Sequence, residues 1–131
     1  MNLLISLACE DVRTRPDGRL DFVGVFDRLH APGFPAAQDR MTVVFVMEWD
    51  ASDTGRHEFA ADLMAPDTRT VLTIEGHTDV SVPAEGGRPR TRLVMPLERV
   101  VFPVEGEYRF VLRLGDDRID AFSLYVAGSG S

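Results

Sequence analysis

The sequence contains no lysine; all 14 of its basic residues are arginine. Chemistry that turns on an amine side chain is thereby excluded, whether a Schiff-base lysine, a lysine general base or the lysine of a phosphate-binding P-loop. The bias itself reads as the codon usage of a GC-rich genome. Cysteine is almost missing too. The one thiol, Cys9, has no partner for an internal disulfide, which fits a reducing compartment. Positive charge is outnumbered, with 21 acidic residues and a net charge of −7. Nucleic acids and anionic membranes are held by clustered positive charge, so neither is an expected partner. No apolar run approaches the roughly 20 residues of a membrane-spanning helix. The opening stretch through Cys9 lacks a positive flank and meets Glu10 and Asp11 at once, so it reads as a strand rather than a secretory leader. A cytoplasmic protein is the expectation.

What the chain does have is period-two alternation rich in Val, Phe, Ile and Leu. Eight strands are predicted: residues 2–10, 20–29, 41–50, 56–64, 70–75, 91–101, 107–114 and 118–127. Turn chemistry separates nearly all of them, as in Pro16-Asp17-Gly18, Ser52-Asp53-Thr54-Gly55, Pro66-Asp67, Glu85-Gly86-Gly87 and Gly115-Asp116-Asp117. At 131 residues the chain is the size of one domain and needs no staples. The expected fold is all-β, a two-sheet antiparallel sandwich of the Greek-key or immunoglobulin-like kind. At most one helical turn is expected, over residues 35–40. The domain is placed at residues 1–127, and Gly128-Ser129-Gly130-Ser131 is read as a flexible tail of the kind a cloning vector leaves.

Two stretches are more specific. Gly106 precedes Tyr108 by two residues, and Tyr108, Phe110, Leu112 and Leu114 alternate; the tyrosine is expected to turn inward at a corner and bond nearby backbone. A tight turn through Gly115 then returns the chain as a hairpin partner with Phe122, Leu124 and Val126 on one face. In residues 41–49, Val43, Phe45, Met47 and Trp49 form one face, yet the other face carries Val44 and Val46. A strand apolar on both sides is normally covered on both sides. Val94 belongs to a second such stretch. Either a loop supplies the cover, with residues 30–40 the obvious candidate, or Val44, Val46 and Val94 meet a partner protein or a second copy.

Motifs of catalysis are missing. His30, His57 and His77 stand at least twenty residues apart, with no metal-ligand spacing. No nucleophile elbow occurs, since the terminal Gly128-Ser129-Gly130 has neither its spacing nor its strand-to-helix context. Acidic neighbours raise a thiol's pKa, so Cys9 reads as a small buried hydrophobe. Acidic loops at 50–55 and 116–120 offer oxygen ligands but no EF-hand pattern, and Asp and Gly also simply make turns. Arg88, Arg90 and Arg92 alternate, so an extended segment would present a comb of guanidinium groups; it serves either as an anion grip or as a solvated edge that discourages sheet-to-sheet pairing. Loop residues His30, Phe34, Arg40 and Asp50 are loose candidates for a ligand site at one end of the sandwich.

The chain resembles an uncharacterised bacterial family of small single-domain β-sandwich proteins. The resemblance runs through the opening strand (Leu3 to Glu10), the segment from Gly18 to Asp27, the Pro32-Gly33-Phe34-Pro35 loop, the aliphatic strand through Phe45, and the Gly106-Glu107-Tyr108 corner. It implies a fold and no activity, so no functional residue is carried over. From the residues themselves, no catalytic, cofactor-binding or metal-ligating side chain is assigned and no cofactor is expected. A non-catalytic interaction or assembly module is the first expectation. A small-ligand or metal-binding sandwich with its site in the end loops, enzymatic or not, is the second.

Overall fold

A computed structural model describes residues 1–129. Among the described residues, nine strands form two sheets: β1 (Asn2–Thr14), β2 (Leu20–Phe26), β3 (Arg28–Ala31), β4 (Ala36–Glu48), β5 (Gly55–Met64), β6 (Thr70–Val80), β7 (Arg90–Phe102), β8 (Gly106–Leu114) and β9 (Asp117–Gly128). One sheet has the order β2-β1-β4-β7 and the other β3-β9-β8-β5-β6. The chain passes from sheet to sheet after β2, β3, β4, β6 and β7, so each layer is built of segments distant in sequence.

The alternating residues meet between the layers. Val43, Phe45 and Met47 of β4 face Ala61 and Leu63 of β5, Tyr108, Phe110 and Leu112 of β8, and Leu124 and Val126 of β9, all within one buried cluster. Phe122 lies against Phe110 at 5.0 Å between ring centroids and reaches Phe45 across the layer at 6.2 Å. The expected corner is formed: the Tyr108 hydroxyl donates to Val104 O at 2.6 Å and accepts from Val104 N at 3.1 Å, its ring edge-on to Phe102. Gly106 makes this corner possible, since at φ 145° a Cβ there would stand 2.6 Å from Pro66 Cγ.

Several expectations are corrected. The stretch 20–29 is two strands: the chain breaks at Asp27 and changes sheets, so β3 pairs with β9 in parallel, the one parallel ladder among antiparallel ones. Residues 36–40 extend β4 instead of coiling, because their backbone pairs with Glu98 to Phe102 of β7. The one helical turn is a 3-10 turn at Ala51–Asp53, closed by Asp53 N donating to Asp50 O at 2.9 Å and Asp50 N to the Asp53 carboxylate at 3.1 Å. Gly128 still belongs to β9, and Ser129 N donates to Ala31 O at 2.7 Å; that bond holds the end to β3. The rest of the expected tail, Gly130 and Ser131, lies outside the described residues.

The second apolar face of β4 is covered by an element the alternation does not announce. Beyond Cys9, β1 leaves β4 and pairs only with β2. A straight continuation from Ile5 to Thr14 would travel about 30 Å along the sheet. Yet Arg92, which stands opposite Val46 with Ile5 on its far side, donates to Gly18 O at the hairpin tip at 2.6 Å. The β1–β2 hairpin has therefore turned back across the outside of its own sheet. Val12 and Phe22 of the hairpin, with Leu7, close over Cys9, Val44 and Val46 in a small separate cluster. Gly24 sits at the bend with φ 65°, where a Cβ would fall 2.6 Å from the Glu10 side chain.

Candidate interaction surface

The residues singled out from sequence are distributed unevenly. Val44 and Val46 are sealed under the hairpin, so neither is open to a partner; the cover comes from residues 12–22 and not from 30–40. Val94, directly across from Val44 on β7, stays 39% exposed because the hairpin tip passes over Arg92 instead. His30, Phe34, Arg40 and Asp50 do not converge. Arg40 lies within β4 and Asp50 two residues past its end, about 30 Å apart along an extended chain. His30 lies exposed on β3, and Phe34 packs into the core edge near Gly128.

The arginine comb is occupied by its own chain. Arg88 lies 3.7 Å from both Glu48 and Asp50, Arg90 reaches Glu48 at 3.1 Å, and Arg92 holds Gly18 O. Through Arg92 it ties the β1–β2 hairpin tip to β7. Another ion pair sits on the outside of the five-stranded sheet. Asp62 on the central strand β5 accepts two bonds from Arg113, at 2.7 and 3.1 Å, and one from Thr73 at 2.6 Å. The Arg113 guanidinium holds the Asp62 carboxyl below the usual carboxylate range. Cys9 moves the opposite way, its thiol raised chiefly by burial.

At one end of the sandwich a cleft of about 560 Å³ runs past Trp49, His57, Arg56 and Arg118. Its aromatic wall is built by stacking: Trp49 lies 4.5 Å from the His57 ring, its indole N–H donates to Thr91, and His57 Nε2 meets Asp53 O at 2.6 Å. Asp53, Glu58 and Asp117 line the same cleft, so its charges nearly balance. Among the described residues, no group of three or more His, Cys, Asp and Glu side chains is placed to hold a metal ion.

The sheet edges differ more sharply. A strand edge without a neighbour offers a row of unpaired backbone groups, and proteins guard such rows with charge, proline or irregularity. Among the described residues, β7 carries Arg90, Arg92, Glu98, Pro96 and the left-handed Arg99; β6 carries Glu75, His77 and Asp79; the open part of β9 carries Asp117, Arg118 and Asp120. The outer edge of β2 has Asp21, and β3 has Arg28 and His30. Uncharged runs remain on β2 at residues 22–26 and on β6 at residues 70–74. Residues 2–7 of β1 form a third, where the Ser6 hydroxyl donates to Ala121 O of β9 at 2.7 Å. They pair with β4 on one side, β2 begins only at Ala8 on the other, and none of the six is charged. A register shift between Leu3 and Ile5 turns both Leu4 and Ile5 outward, 41% and 37% exposed. Val25, 56% exposed, closes the far end of this open edge beside a notch of about 240 Å³ lined by Ser6, Leu7, Phe26 and Phe122.

A sequence model of a family of unknown function, DUF6941, matches residues 4–127 of this chain. The chain belongs to DUF6941. The DUF6941 match begins two residues inside β1 and stops one residue short of the end of β9, so it touches every strand of the sandwich. No curated protein matches the chain. No helix of the described residues is long and apolar enough to cross a membrane.

Leu4, Ile5 and Val25 are the surface residues sequence reasoning passed over. The signal was present, since residues 1–9 contain no charge at all. That stretch also passes for the start of a leader peptide, and its exposure depends on where β2 begins.

Proposed function

We propose that this chain is a non-catalytic interaction module that binds a protein partner by strand addition to the open edge of β1. The observation that carries the reading is the exposure of Leu4 and Ile5 on a stretch, residues 2–7, that carries no charge and has no strand neighbour on the side away from β4. Backbone groups supply affinity in such pairing, and flanking side chains supply selectivity. Leu4, Ile5 and Val25 would be those side chains, with the notch beside Val25 taking a residue of the incoming strand.

A photo-crosslinking residue in place of Ile5, with a control at the exposed Thr70 on the opposite sheet, tests this in cells. A single defined adduct from position 5, lost when Leu4 becomes Lys, is expected. Equal labelling from both positions, or no defined adduct, overturns the reading. A second reading, a small-ligand module, is supported by the end cleft, whose volume lies within the roughly 300–1,000 Å³ of ligand pockets. A ligand that raises the melting temperature of wild type and not of Trp49→Ala would favour it.

A further inference from the structure

We propose that residues 10–24, the outer part of the β1–β2 hairpin, form a strap that swings off the four-stranded sheet as one piece, hinged at Glu10 and Gly24. Closed, the strap seals an apolar face of β4; open, it presents that face. The β1–β2 ladder marks the hinge. Ala8 and Cys9 pair with Phe26 and Val25, pairing resumes at Asp11 with Val23, and the level between them, Glu10 with Gly24, is skipped. Gly24 has φ 65°, and the Glu10 side chain fills the place a Cβ would take there. On β1 this is also the point where pairing with β4 ends, at Cys9. Both strands therefore bend at one level, as a flap hinge requires. Residues 2–7 lie outside the strap, so its motion leaves the β1 edge as it is.

Bonding within the strap contrasts with bonding out of it. Inside, Val12, Arg13 and Thr14 pair with Phe22, Asp21 and Leu20. The turn is closed by Arg15 N donating to Arg19 O at 2.8 Å and Gly18 N to Arg15 O at 2.9 Å, and Arg15 grips Asp21 at 2.8 Å. Outward, no strand beyond the hairpin pairs with residues 10–24. Among the described residues, side-chain bonds tie the strap to the rest only from Arg92 to Gly18 O and, beside the hinge, from the Cys9 thiol to Asp11 O at 3.4 Å. Apolar closure is the small cluster of Val12 and Phe22 over Cys9, Val44 and Val46, separate from the main core. Swinging off breaks the tip bond and parts that cluster, whereas melting the hairpin breaks its ladder as well. The swing is the cheaper opening. It uncovers Val44 and Val46 beside Val94, which stands opposite Val44 and is already exposed, so the open state carries one apolar stripe across β4 and β7.

The test follows three signals on the wild-type chain against urea. They are labelling of Cys9 by a thiol reagent, hydrogen exchange of the ladder amides in residues 11–14 and 20–23, and exchange of the β8 amides in the core. Cys9 should label through an opening whose urea dependence is well below that of β8 exchange, because little surface is exposed. Strap amides should be protected about tenfold or more beyond the thiol, since their ladder travels intact. Arg92→Ala, at an exposed position, should speed Cys9 labelling about two- to tenfold, the loss of one hydrogen bond, and leave β8 exchange unchanged. Cys9 labelling that tracks β8 exchange in protection and urea dependence overturns the proposal, since the face is then uncovered only by global unfolding. Equal protection of thiol and strap amides also overturns it, because the hairpin then melts instead of swinging. So does an Arg92→Ala chain whose Cys9 labels at the wild-type rate.

Discussion

Among the described residues Asp62 is the one buried carboxylate, on the central strand of its sheet with its oxygens committed to Arg113 and Thr73. A carboxyl held below its ordinary value of 3.8 binds fewer protons folded than unfolded. Its contribution to stability is therefore complete above that value and is lost as pH falls through it toward the depressed folded value. Asp62→Asn should cost about 1 kcal/mol at neutral pH, modest because Arg113 is half open to water. The gap between wild type and variant should close below about pH 4. Urea midpoints measured from pH 7 to pH 2 check this; a gap that stays constant with pH would show that the carboxylate's charge does not act in folding. The residue types at these positions are plain in the sequence. That Arg113, fifty-one residues away, is the partner is a matter of β5 and β8 lying side by side.

At the scale of elements, the β1–β2 hairpin is the unexpected piece. Its strands read as ordinary alternating segments, and nothing local says that they turn back on the sheet they leave. The cover it forms is small: Val12, Phe22 and Leu7 over Cys9, Val44 and Val46, pinned by the Arg92 bond to Gly18. Removing a fully buried Phe costs about 3–5 kcal/mol, so Phe22→Ala, from a half-buried position, should cost about 2 kcal/mol. The loss should fall on hairpin opening before global unfolding, because the larger core lies on the other side of the sheet. Cys9 reports it directly, being fully buried under the hairpin with its thiol raised by that burial. Its labelling by a thiol reagent should be slow in wild type and about tenfold or more faster in Phe22→Ala, since each 1.4 kcal/mol of opening is about a factor of ten. Equal rates would mean that the hairpin does not shield the thiol.

For the whole molecule, the two sheets share the main buried cluster and the chain crosses between them repeatedly, so neither layer holds that core alone. Unfolding is expected to be a single cooperative transition. Trp49 is a built-in reporter: it follows β4, bonds Thr91 of β7 through its indole N–H and stacks on His57 of β5, so it touches both sheets. Its fluorescence and the far-ultraviolet β signal should give superimposable urea curves. Separated midpoints would show one sheet surviving the other.

Strand identity was written in the sequence itself, because side chains on a pleated backbone alternate and a half-buried strand records that alternation residue by residue. The inward faces of β4, β8 and β9 and the Tyr108 corner were legible for this reason. Tertiary structure alone decided what lies on the second face of β4, where the chain changes sheets at Asp27, and where β2 begins to pair with β1. Each of these depends on how distant strands pair, and alternation carries no information about a strand's neighbours. Two-sided apolarity correctly announced a cover over Val44 and Val46, but whether a hairpin of the same chain or a partner supplied it was set by the path of the backbone.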